Sequence, residues 1–113
     1  QEHIDWLSAA PRSIATEDHL FVHAGIRPGV AMSDQVEDDL IWIREGWLDD
    51  TRDHGPLVVH GHTALDFPVH HGNRVNVDGG AGFGRTLVPV ALSGRDAWAL
   101  TPTGRHQLMP QTA

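Results

Sequence analysis

The chain has 113 residues, 40% of them hydrophobic, and no cysteine. That excludes a large multidomain machine, a disulfide framework, a thiolate zinc site and a cysteine nucleophile. Eight basic against fifteen acidic residues leave a net charge of −7, the wrong sign for nucleic acid or an anionic membrane as the main partner. Every cation is an arginine, so neither a phosphate-loop lysine nor a Schiff-base lysine is available. Nine histidines are the conspicuous excess, and they point toward metal or proton chemistry. With no apolar run of membrane-spanning length, no leader-like opening and a start at Gln1, the chain is expected to be a cut piece of a cytoplasmic protein.

From the N-terminus, Glu2 to Ala10 spaces Ile4, Trp6, Leu7 and Ala10 on one helical face, and Pro11 stops it. Arg12 to Ala15 and His19 to Ala24 read as short strands joined by the polar turn Thr16-Glu17-Asp18. Arg27-Pro28-Gly29 is a turn, and Ser33 or Asp34 could cap a short helix. Asp38 to Leu48 is the best helix candidate, with Leu40, Ile41, Ile43, Trp47 and Leu48 as its apolar stripe. The second half is strand-rich. Leu57-Val58-Val59 fits a strand buried on both faces, and Asn73 to Asp78 alternates apolar with polar. Gly79 to Gly84 is a glycine-rich loop; Thr86 to Leu92 and Asp96 to Leu100 flank the hairpin turn Ser93-Gly94-Arg95. Residues from about 101 to 113 are expected to fray. No repeat or linker marks a second domain.

Two histidines end apolar strands. His23 follows Leu20-Phe21-Val22, and His62 follows Leu57-Val58-Val59 with His60 and Gly61 between. Side chains escape a packed α/β interior just beyond the carboxyl ends of strands, which is where functional groups collect. The alternative for each is a buried histidine satisfied by a carbonyl. Residues i and i+2 of an extended chain face opposite ways, so His60 and His62 cannot share an ion without a bend. His62 is therefore the candidate ligand, with His60 behind it or lining the pocket. His70 and His71 read as a solvated loop pair, and His3, His19, His54 and His106 as ordinary histidines. Arg44 is either an ion-pair partner on a helix or a planar fork for phosphate oxygens, and spacing leaves both open. The loop at 79–84 precedes a strand and holds no lysine, so it is not a phosphate loop.

Four segments in order carry a resemblance: Phe21-Val22-His23-Ala24-Gly25-Ile26-Arg27-Pro28-Gly29, Asp39-Leu40-Ile41-Trp42-Ile43-Arg44-Glu45, Val58-Val59-His60-Gly61-His62-Thr63, and Asn73-Arg74-Val75-Asn76-Val77-Asp78. From Glu2 to about Leu100 the chain resembles the C-terminal half of the calcineurin-like metallophosphoesterases. It is most similar to the bacterial serine/threonine protein phosphatase branch, which includes symmetrical diadenosine tetraphosphate hydrolases. The resemblance implies an α/β (α+β) architecture: the C-terminal portion of a β-sandwich flanked by helices. It implies a hydrolase using two divalent ions, manganese, iron or zinc. His23 and His62 would be ligands of the second ion, and Arg44 would contact the substrate phosphate of a phosphoprotein or dinucleoside polyphosphate.

The family's opening motifs, of the kind GDxHG, GDxxDRG and GNHE, are not in this sequence. They supply the first ion's ligands, the bridging aspartate and the general-acid histidine. Residues 1–113 are thus expected to be one partial domain whose partner is the missing N-terminal half. No membrane or nucleic acid is expected as a partner, and no hydrolysis by the piece alone. Ala64, where the family has proline, and Gly79-Gly80, where it has threonine-glycine, are smaller departures. A reading of a different class is a noncatalytic histidine-rich metal-binding module.

Overall fold

A computed structural model describes residues 12–63, 65, 67–78, 84 and 87–111. The helix expected over Glu2 to Ala10 and all but Gly84 of the glycine-rich loop lie outside these residues.

The apolar run Leu57-Val58-Val59 organises the fold. It forms β3, Leu57–His60, buried along its whole length. Before it come β1, Ser13–Ala15, and β2, His19–Val22, an antiparallel pair whose turn is closed by Thr16 N donating to His19 O at 2.8 Å. After it come β4, Val69–His70, and β5, Arg74–Asn76. The sheet order is β1-β2-β3-β5-β4, with β2, β3 and β5 parallel and β1 and β4 antiparallel at the edges. Three further strands, β6 (Val90–Ser93), β7 (Asp96–Thr101) and β8 (Gly104–Leu108), form an antiparallel meander.

Each face of the large sheet has its own core. Successive strand residues point to opposite faces, so Val58 and Leu57 enter different clusters. Val58 joins Leu20, Val22, Ala24, Ile26, Leu40, Ile43 and Trp47 under the helix α1, Glu37–Trp42. Leu57 joins Val75 and Ala97, with Val77 and, from the meander, Val90, Leu92 and Leu108 packed around them. Burying each such valine, leucine or isoleucine is worth roughly 1.5–3 kcal/mol. The result is a small, strand-rich α+β domain with two sheets and few helices.

Three expectations are corrected. The helix stops at Trp42 instead of reaching Leu48, because Ile43 turns extended at ψ 137° and Gly46 takes φ +75°. Trp47 reaches the core from this turn, fully buried. The expected frayed tail carries β8, which pairs with β7 from Ala97↔Leu108 to Thr101↔Gly104. Gly104, at φ +121°, helps make that turn. His70 is not a solvated loop residue: it is 2% exposed in β4, with Nε2 donating to Arg95 O at 2.8 Å and Nδ1 accepting from Gly72 N at 2.9 Å. Among the described residues no helix is long and apolar enough to cross a membrane.

Candidate functional site

β2 and β3 are parallel neighbours in the register Leu20↔Val58 and Phe21↔Val59, so both end at the same rim of the sheet. The residues that follow them are held together by Gly61 N donating to His23 O at 2.7 Å. His23 and His62 meet there edge to face, ring centroids 5.1 Å apart. The strand-end reasoning placed each at a strand terminus; adjacency of the two strands brings the rings together.

His60 and His62 go separate ways because of a tight bend. Thr63 N donates to Gly61 O at 2.7 Å, and His62 between them has φ +67°. This is the positive-φ form of the γ-turn, rare and strained for a residue with a side chain. It sends His62 to the rim and leaves His60 in the core, 1% exposed. Nε2 of His60 faces Nη1 of Arg74 at 2.9 Å, and an arginine can only donate. The proton of His60 therefore sits on Nδ1, which donates to Gly61 O at 3.1 Å. Burial first, and the Arg74 charge second, push the His60 pKa down to about 3. Arg74 also donates to Leu48 O at 2.9 Å and lies over the Trp47 ring.

The helix supplies the rest of the rim. Ala24 N donates to Leu40 O at 2.9 Å, which docks α1 beside the end of β2. Arg27 grips Asp39 through Nε and Nη2 at 2.9 and 3.0 Å, and Gln35 donates to the carbonyls of Arg27 and Val30. Trp42, the last residue of the helix, meets the His62 ring edge to face, with centroids 5.6 Å apart. Arg44 is exposed, and its charge is felt at His62. Partial burial, then Arg44, then His23 lower the His62 pKa, while Asp78 opposes them. The neutral form, the one with a free nitrogen lone pair, is favoured. Among the described residues, the Arg44 side chain makes no ion pair or hydrogen bond. Arg12, Arg27, Arg52 and Arg95 each face a carboxylate. A depression of about 270 Å³ is lined by Phe21, His23 and Ile41, and one of about 360 Å³ by Arg27, Trp42 and Arg44.

Sequence reasoning missed Asn76, which is 1% exposed. Its Nδ2 donates to Thr63 O at 2.8 Å, and its Oδ1 accepts from Asp78 N at 2.9 Å. Alternation assigned it to a polar face; both faces of the sheet are covered, so a polar residue in β5 must be satisfied inside. A lone asparagine between two valines was the available signal.

Two imidazoles suit manganese, iron or zinc by donor type. They are half of a four-ligand set. Among the described residues, no group of three or more histidines, aspartates or glutamates is placed to hold an ion. Comparison with protein families, with curated proteins and with solved structures finds no match to this chain.

Proposed function

We propose that the chain is the C-terminal part of a calcineurin-like metallophosphoesterase domain, supplying one ion's histidines and a phosphate-binding arginine to a two-metal hydrolase. The observation that carries the reading is the approach of the His23 and His62 rings to 5.1 Å at the ends of neighbouring parallel strands. The exposed Arg44, close enough to His62 to lower its pKa, supports it.

In this reading His23 and His62 would hold a divalent ion through neutral ring nitrogens. Divalent ions bound there would neutralise phosphate oxygens and make a nucleophile available at neutral pH. Arg44 offers a planar fork to two phosphate oxygens and holds the ester in line for attack. Trp42 shields one side of the His62 ring from water. The bridging carboxylate, the first ion's ligands and the leaving group's proton donor come from the other half of the domain. The substrate is a phosphoserine or phosphothreonine protein or a dinucleoside polyphosphate.

The test joins the chain to the coding sequence that precedes Gln1 and follows p-nitrophenyl phosphate hydrolysis with manganese. We expect hydrolysis by the extended protein, its loss in His62→Ala, and none by the 113-residue chain alone. Histidine-dependent manganese binding by the extended protein without any hydrolysis would sink the enzyme reading in favour of a metal-binding module. Hydrolysis by the chain alone, abolished by His62→Ala, would mean that the site is complete within it.

A further inference from the structure

The bend that presents His62 is costly on its own. A side-chain-bearing residue at φ +67° persists only where the surroundings over-determine it, so the groups that hold it can be identified from their bonds. Two carbonyls of the γ-turn also accept hydrogen bonds from side chains. Gly61 O, on the entering side, accepts from His60 Nδ1. Thr63 O, on the leaving side, accepts from Asn76 Nδ2 at 2.8 Å. The next strand is fastened to the same loop by Val77 N donating to His60 O at 2.8 Å and Leu65 N donating to Asp78 O at 2.9 Å.

Asn76 bonds both to the γ-turn and to the segment after β5. Its amide end holds Thr63, and its carbonyl end holds the backbone of Asp78. Asp78 in turn is among the charges that act on His62. Only an amide has a donor and an acceptor so disposed: an aspartate can accept from Asp78 N but presents oxygen to oxygen at Thr63. The residue is buried beyond reach of solvent, so water cannot replace the lost donor without the loop opening.

We infer that Asn76 is a positioning residue for His62: it locks the γ-turn at 61–63 so that the His62 imidazole faces His23. The inference takes its functional meaning from the metal reading of the two histidines, but its geometry stands apart from that reading. Asn76 does not touch substrate or ion. It acts through Thr63 and the backbone on either side of His62.

The experiment compares the 113-residue chain with Asn76→Asp and Asn76→Ala. Ring-proton contacts between His23 and His62 are read by nuclear magnetic resonance, manganese affinity by paramagnetic broadening of the same ring protons, and the core by its tryptophan indole signals. We expect the ring contact to be lost in both variants and manganese affinity to fall roughly ten- to a hundredfold. The indole signals of Trp47 and Trp98 should stay in place in Asn76→Asp, which keeps the side-chain volume. Unchanged ring contact and affinity in Asn76→Asp would overturn the inference. So would loss of the contact only together with collapse of the tryptophan signals in both variants, which is the mark of a structural role alone. A wild-type chain that shows the ring contact and its dependence on Asn76, yet no manganese broadening, would sustain the positioning role, and the metal reading is then decided by manganese binding to the extended protein.

Discussion

The Arg74 guanidinium donates to the His60 imidazole at 2.9 Å with both side chains withdrawn from water, 4% and 1% exposed. A cation pressed against an imidazole in the core makes protonation of that ring doubly unfavourable: burial removes the solvent that would stabilise its charge, and Arg74 repels it. The pair fixes which nitrogen of His60 carries the proton and, through Gly61 O, one end of the His62 turn.

Acid unfolding should report this pair. Unfolded, His60 takes a proton near its ordinary pKa of 6.5; folded, it resists until about 3. Between those values the unfolded chain binds more protons, so stability is complete above about 6.5 and falls as pH drops toward 3. The stability lost through His60 should reach roughly 3–5 kcal/mol by the lower end of that range. His60→Gln, which can still accept from Arg74, should flatten the decline of the urea midpoint between pH 7 and 4. Parallel declines in the two proteins would remove His60 as its source.

Gly25 lies against the Trp47 indole so closely that an added methyl carbon would sit only 2.2–2.5 Å from its ring atoms. Gly25→Ala must push Trp47 from its fully buried seat or shift the chain after His23. We expect a loss of roughly 1–3 kcal/mol, with red-shifted tryptophan fluorescence. A urea midpoint within error of wild type would show that the indole can move freely.

How much of this could be read from the chain alone follows from what each residue touches. β2 and β3 are apolar runs ended by histidine and glycine, and their burial and the rim positions of His23 and His62 follow from that pattern. The γ-turn at His62 does not, since a positive φ at histidine has no compositional mark. Trp47 fell on a helical stripe but enters the core from a turn, because Ile43 leaves the helix early. β8 was illegible for the opposite reason: Gly104 to Gln107 are all exposed, so no apolar alternation announces a strand. Asn76 and Arg74 hide in an alternating pattern whose polar face turned out to be covered.

Arg44 is exposed and makes no ion pair or hydrogen bond among the described residues. Arg44→Ala should leave the urea midpoint of the 113-residue chain unchanged within about 0.5 kcal/mol. In the extended protein it should slow phosphoester hydrolysis roughly ten- to a hundredfold, the loss of a charge-assisted contact of about 1.5–3 kcal/mol, with metal content intact. Normal kinetics with lost stability would make Arg44 an ordinary structural residue.

Removing residues after Thr101 should destabilise the domain although the segment is mostly polar. It takes away the partner of β7, the Leu108 side chain that packs by Leu57, Val75 and Ala97, and the bond from Gln111 N to His70 O. We expect a fall in the thermal midpoint and faster amide exchange along β7. Unchanged exchange at Ala97 and Ala99 would mean that β8 adds nothing to the meander.

The parallel pairing of β2 with β3 also has a kinetic consequence. The meander β6-β7-β8 joins strands that follow one another through tight turns, whereas β2 meets β3 only after the whole stretch from His23 to Pro56 has been looped out. Contacts between distant parts of a chain form slowly, since the loop entropy is lost before the contact is gained. The histidine pair therefore comes into being late, with the completed sheet, while the meander can arise early and alone. A partly folded population would show strand signal in circular dichroism and carry no site, so only the protected amide of Gly61, bonded across to His23, counts the molecules in which the two imidazoles face each other.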